Sequence, residues 1–317
     1  MRGTRTAIVL VVAVLLGAAT MTPAPAVPVE GTTCDVFPAD NVWHLNVSKL
    51  PVSARSDVWT HAMHAKRTSL HPDFGPPSYG IPFDVVDTAH PDVSVDFTYA
   101  DESDAGPYPF GSDIHVEGGS DRHAIMLDQD TCTLYELYDA HWNGGSPTAG
   151  SGAVFDLTSN ALRPAGWTSA DAAGLPIMAG LLRYDEVAAG EVDHAIRVTA
   201  SCTHDASIWP ARHAAGTKDR RCPPMGARFR LRAGFDASGF SPDARVVIQA
   251  MKRYGVIVAD NGSDWYFQGT VDPRWTYAFV DQLKQIPARA FVAVDEHACR
   301  VAPDSGAFGS GPGCPVP

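Results

Sequence analysis

Glycine and proline punctuate this chain from end to end, and their spacing limits what it can fold into. The 317 residues include 28 Gly and 25 Pro, scattered rather than gathered into one linker. Both residues tend to end helices and strands, so the chain must be assembled from many short elements joined by tight turns. No internal repeat is visible, and one domain is the simplest account of the length.

Strand-like runs dominate between these breaks. Residues 93–99 alternate, with Val93, Val95, Phe97 and Tyr99 on one side. Further runs cover 123–128, 132–140, 153–157, 194–199, 228–232, 255–259, 265–268 and 291–294. Asn261-Gly262 falls between two of them and reads as a hairpin turn, because both positions tolerate positive φ. Helical patterns are fewer: 55–66, a turn opened by Thr168 or Ser169 with Asp171 near its positive end, 184–189, 243–254 and 277–286. The clearest is 243–254, with an apolar stripe through Val246, Val247, Ala250 and Met251 and with Gly255 at its end. The expected fold is mostly β, an antiparallel β-sandwich-like or barrel-like core with several short peripheral helices; an α+β layer fold is the alternative.

The first 26 residues read as a signal peptide. Arg2 and Arg5 precede a charge-free apolar run over 7–19, and Ala24-Pro25-Ala26 supplies small residues for cleavage before Val27. That run of about 13 residues falls short of the roughly 20 that a membrane span needs. The expected organisation is a signal peptide over 1–26, one globular domain over 27–298 and a Gly/Pro-rich tail over 299–317. The expected localisation is secreted, with no membrane insertion after cleavage. Loss of the two arginines would take the formal charge from -12 to -14. So acidic a surface repels phosphate backbones and anionic lipid, which argues against nucleic acid as a partner.

All six cysteines follow residue 26, an even number that fits three disulfides in an exported chain. Proximity favours Cys202–Cys222 and Cys299–Cys314, leaving Cys34 for Cys132. No CxxC occurs, which disfavours zinc ribbons and thioredoxin-like chemistry.

Several stretches are distinctive: Asp121-Arg122-His123, LYELYDA over 134–140, RPAGWTSADAAGLP over 163–176, WPARH over 209–213 and ADNGSDWY over 259–266. In these the chain resembles a family of exported bacterial proteins. The resemblance extends over most of residues 27–317. It implies export, and it brings no activity and no catalytic residues with it.

Candidate chemistry gathers on the hairpin of 121–140. A turn at Gln129-Asp130 sets Asp128 opposite Thr131, Ile125 opposite Leu134, His123 opposite Glu136 and Asp121 opposite Tyr138. Alternation puts the last three of these pairs, together with Leu127 opposite Cys132, on one face, apolar at the turn and ending in Asp121, His123, Glu136 and Tyr138. A His beside a Glu can carry protons. Glu136 with Glu117 or Asp121 could form a glycosidase carboxylate pair. His123 and Tyr138 could instead be base and acid of a polysaccharide lyase, with an arginine neutralising the uronate. An ordinary surface His–Glu pair would look the same in sequence.

The loop expected between Cys202 and Cys222 carries Trp209, Arg212 and His213, residues suited to a sugar face and a carboxylate. Asp101-Glu102-Ser103-Asp104 reads as a solvated acidic turn, and His194 as a buried, satisfied histidine. His123, His194 and His213 are too widely spaced for sequence to say whether they meet around a metal, and no metal or cofactor is assigned. G-x-S-x-G, H-E-x-x-H and P-loop patterns are missing, which removes weight from serine esterases, zincins and nucleotide hydrolases. The leading expectation is a secreted enzyme acting on polysaccharide or cell-surface glycan by acid–base catalysis. Glu136 and His123 would carry protons, Asp121 would orient His123, Tyr138 would complete the catalytic set, and Trp209, Arg212, His213 and Glu117 would hold substrate. The alternative is a non-catalytic secreted protein that binds glycan or cell surface through the same loops.

Overall fold

The computed structural model describes residues 27–311 and 313–315; the segment 1–26, read above as a signal peptide, lies outside them. Twelve short strands and four short helices appear among the described residues, and the chain is mostly β. The strands are β1 (His71–Asp73), β2 (Asp84–Val86), β3 (Asp96–Phe97), β4 (Ala124–Asp128), β5 (Thr133–Tyr138), β6 (Thr148–Ala149), β7 (Ser151–Asp156), β8 (Ile196–Ala200), β9 (Arg228–Leu231), β10 (Val256–Asn261), β11 (Tyr266–Gln268) and β12 (Phe291–Ala293). The helices are α1 (Ser56–Ala62), α2 (Tyr184–Ala189), α3 (Pro242–Arg253) and α4 (Tyr277–Leu283). Ser241 starts α3: its hydroxyl accepts from the Ala244 N–H at 3.3 Å, Pro242 takes the first turn, and Lys252 and Arg253 sit at the negative end.

Six strands form one sheet in the order β1-β11-β8-β10-β9-β12, four form another in the order β2-β4-β5-β7, and β3 pairs with β6. The sheets are mixed. β8–β10, β1–β11, β2–β4 and β3–β6 are parallel, whereas β4–β5–β7, β8–β11 and β10–β9–β12 run antiparallel. A parallel pair needs a long crossover. The chain supplies one for β8–β10 by running through the Cys202–Cys222 loop, β9 and α3 before returning.

β4 is buried on both faces. Ile125 and Leu127 join Leu134, Ala153 and Phe155 in the main core, which also contains Ile196, Val198, Phe229, Val256, Val258 and Phe267 of the six-stranded sheet. Ala124 and Met126 face a smaller core with Tyr108, Phe110 and Leu137. Each fully buried Leu, Ile or Phe contributes roughly 1.5–3 kcal/mol.

Several local expectations change. Only Asp96–Phe97 of the 93–99 run is strand, and no helix forms at Ser169. Asn261-Gly262 is not a hairpin turn, because β10 and β11 lie on opposite sides of β8. The chain passes over the end of β8 there, with the Gly262 N–H on the Ala200 carbonyl at 3.1 Å. The β4–β5 register is two residues away from expectation: Asp128 faces Thr133, Ile125 faces Glu136 and Leu127 faces Leu134. Asp128 accepts from the Asp130 and Thr131 N–H groups at 2.8 and 3.2 Å, and Cys132 takes a left-handed φ of 52°. The loop therefore spans 129–132. A shift of two preserves the alternation, so Ile125, Leu127, Leu134 and Glu136 still share one face, whereas the left-handed Arg122 and Cys132 interrupt it just before β4 and β5.

Bridges join Cys34 to Cys132, Cys202 to Cys222 and Cys299 to Cys314, which suggests an oxidising compartment. The tail is also docked: Ala307 bridges Asn41, Ser305 bridges Ala161, and Phe308 is buried. Among the described residues no helix is long and apolar enough to cross a membrane.

Candidate active site

The rim where the β4–β5 hairpin meets the ends of β8 and β10 holds a cleft of about 410 Å³. Asp121, Tyr138 and His213 all line it, so the hairpin and the Cys202–Cys222 loop share one hollow. Tyr99 and Glu102 form further wall, and Asp171 and Asp260 reach it from the six-stranded side.

Asp260 owes its position to a bulge. β10 pairs Val258 with Val198 and then Asp260 with Thr199, leaving Ala259 out of register. The Ala259 carbonyl instead accepts from the Ala173 N–H at 2.9 Å. Bulges commonly re-aim a side chain beside a site. The Asp260 side chain is 25% exposed, with Oδ2 3.6 Å from Nη2 of Arg197. The same nitrogen lies 3.0 Å from Oδ2 of Asp171, whose side chain is wholly buried. The two carboxylates thus flank one guanidinium. Arg197 is fixed further by Gln268, whose Oε1 accepts from Nη1 at 2.8 Å. Burial raises the Asp171 and Asp260 carboxyls above their ordinary range and outweighs the downward pull of Arg197. Asp121 adds to the upward push on Asp260. Ser169 shapes the Asp171 turn by accepting from the Asp171 N–H and donating to the Leu175 carbonyl, at 2.9 and 2.6 Å. Asp171 Oδ1 is buried without a partner.

The residues expected from sequence divide sharply. Asp121 and Tyr138 are at the cleft, and burial, then Asp121, raises the Tyr138 phenol. His123 is buried directly behind, its ring 6.0 Å from that of Tyr138. Its partner is Glu117 rather than Asp121: Nδ1 lies 2.5 Å from Glu117 Oε2. Burial disfavours the imidazolium, but the Glu117 hydrogen bond and charge prevail, and the net shift is upward. Glu117 therefore holds a histidine and is not among the residues lining the cleft.

Glu136 is not at the rim. It is fully buried, and its two oxygens accept from the Ile177 and Met178 N–H groups at 2.8 and 2.9 Å. Burial pushes its carboxyl up to about 7 against those two donors. It pins the turn at 177–180 between the sheets and is not among the residues lining the cleft.

The Trp209–His213 loop contributes only its last residue to the cleft. Trp209 is buried, with its indole N–H on the Ser305 carbonyl at 2.8 Å. Arg212 donates to the Arg163 and Pro303 carbonyls at 2.6 and 2.9 Å and pairs with Asp304. Both fasten the tail, and neither lines the cleft. His213 Nδ1 lies 2.8 Å from the Ala172 carbonyl, and Nε2 lies 3.7 Å from Glu102. The acidic turn is docked too: Asp104 pairs with the buried Arg163, and Glu102 accepts from the Thr168 N–H at 3.0 Å. His194 is buried against Glu186 at 3.1 Å. His123, His194 and His213 do not converge, and among the described residues no group of three or more His, Cys, Asp or Glu is arranged to hold a metal ion.

Sequence reasoning missed Asp171 and Arg197 and gave Asp260 to a turn. A signal existed for the first two: each is a lone charge inside an apolar run, ADAAGLPIM and HAIRVTA. Buried charges of that kind are paired or functional. No protein-family model matches the chain, and neither a curated protein nor a solved structure matches it.

Proposed function

We propose that the protein is a secreted carbohydrate-active enzyme that hydrolyses glycosidic bonds at this cleft. The supporting observation is a pair of carboxylates in unlike surroundings on one hollow. Asp260 is mostly buried with a raised pKa, and Asp121 stands exposed across from it. Environments that separate two acids in this way assign a proton donor and a base. Asp260 gives its proton to the bridging oxygen, and Asp121 takes one from the attacking water. Tyr99 and Tyr138 offer aromatic surface to sugar rings. Hydrolysis is favoured over lyase chemistry, because His123 is buried and no arginine is among the residues lining the cleft.

Asp260→Asn and Asp121→Asn should each lower reducing-end release from a polysaccharide panel by at least ~100-fold, with folding intact by circular dichroism. Full turnover in both variants refutes the assignment. The acid role of Asp260 also requires kcat to decline as pH rises through its raised pKa. Unsaturated products, read by ultraviolet absorbance, would restore the lyase.

The second reading is a non-catalytic glycan-binding protein. It is favoured by the ion pairing of Asp171 and Asp260 to Arg197, which would equally stiffen a passive binding surface. Glycan depletion from solution without new ends would identify it.

A further inference from the structure

Across the wall of the cleft lies a second concavity of opposite charge. Two adjoining hollows of about 490 and 370 Å³ flank α1 and share His61 and Lys66. Arg67, Arg221 and His64 line the first, with the Cys202–Cys222 bridge as floor. Arg232 and Arg289 line the second. The carboxylates close by are taken: Asp219 holds Arg221 at 2.6 Å, and Asp264 holds His64 at 2.6 Å. Asp57, on α1, is the remaining acid of the lining. Among the described residues, Lys66, Arg67, Arg232 and Arg289 form no ion pair. On a chain of formal charge -12, such a concentration of unneutralised cations is a local exception.

The groove and the cleft are neighbours. Asn261 lines the cleft, and Asp264, three residues on, binds His64 of the groove. Three peptide steps span at most about 11 Å. On the same wall, Cys202 lines the groove while Thr203 donates to Asn261 at 2.6 Å. A polymer of a few sugar rings is long enough to reach from one to the other. The two ends make opposite demands. Asp121 and Glu102 disfavour an anionic sugar in the cleft, where Asp171 and Asp260 are already matched to Arg197, and the groove attracts one.

We infer that the substrate is a heterogeneous anionic glycan, with an uncharged sugar at the scissile bond and a carboxylate- or sulfate-bearing sugar a few rings away in the basic groove. This rests on the hydrolase reading for the cleft. A uniformly charged polymer does not fit the acidic end, and a neutral one leaves the groove unused. Nucleic acid, with a charge on every unit, meets the acidic cleft directly.

The test is calorimetric titration of the full-length secreted protein carrying Asp260→Asn. The probes are an alternating neutral–uronate oligosaccharide, a sulfated one of the same length, a neutral one and a single-stranded oligodeoxynucleotide. Binding of at least one anionic glycan is expected, and should weaken as salt rises from about 50 to about 300 mM. The exposed triple change Lys66→Gln, Arg67→Gln and Arg289→Gln should weaken it at least ~10-fold and leave the thermal midpoint unchanged. In the otherwise native enzyme the triple change should raise KM for the anionic glycan, with kcat and turnover of short neutral substrates unaltered. Equal affinity for the neutral probe, no loss in the triple variant, or tighter binding of the oligonucleotide overturns the inference. Intact anion binding with no hydrolysis by the native enzyme removes the hydrolase reading alone, and hydrolysis without anion selectivity removes the groove alone.

Discussion

Glu117 and His123 form a pair whose strength depends on pH. The imidazole titrates above its ordinary 6.5 because the Glu117 contact outweighs burial. A raised histidine pKa adds stability that is fully present below 6.5 and fades as pH climbs through the raised value. Glu117→Gln should therefore cost about 1–3 kcal/mol in urea unfolding at low pH and less at high pH. An equal loss at both would mean that the histidine is buried neutral. This pairing was only half legible in sequence. Alternation identified His123, Glu136 and Tyr138 as sharing a face, but not which carboxylate reaches the imidazole. Glu117 approaches from a loop, and loop geometry follows no period.

Elements set by local patterns were legible, and those set by distant contacts were not. The span of α2 was readable from its own residues, and α3 differs from expectation by one residue at each end. The order β11-β8-β10 was not readable, because Asn261-Gly262 carries a local turn signal while the pairing that governs it comes from a strand sixty residues earlier. The turn at 177–180 shows how tightly the elements fit. A Cβ on Gly180 would lie 2.7 Å from Arg197 Cβ and 2.9 Å from Arg197 N. Gly180→Ala should push this turn off β8, costing about 1–3 kcal/mol as overpacking does. It should also loosen Arg197 and lower turnover. A variant with native stability and activity would show that the contact is not tight.

For the whole molecule, buried acids govern the response to pH. Glu136 and Glu296 are pushed up to about 7 by burial, and Asp171 is shifted the same way. Their ordinary values are 3.8 to 4.5, so the native state holds protons that the unfolded chain has released as pH rises from there to about 7. Stability then falls with rising pH across that window. The raised histidines His123 and His194 act in the same direction at slightly higher pH. Exposed acids such as Asp219, drawn down to about 2 by Arg221, matter only in stronger acid. Calorimetric melting should thus give a higher midpoint near pH 5 than near pH 8, and a flat or rising trend would contradict it. The cleft itself has a further consequence. Asp121 leads into the four-stranded sheet and Asp260 lies next to the end of a strand of the six-stranded one, so neither sheet alone brings the two carboxylates together. Under the proposed hydrolase reading, activity would report assembly of the two sheets, and a chain with only one of them folded would be inert.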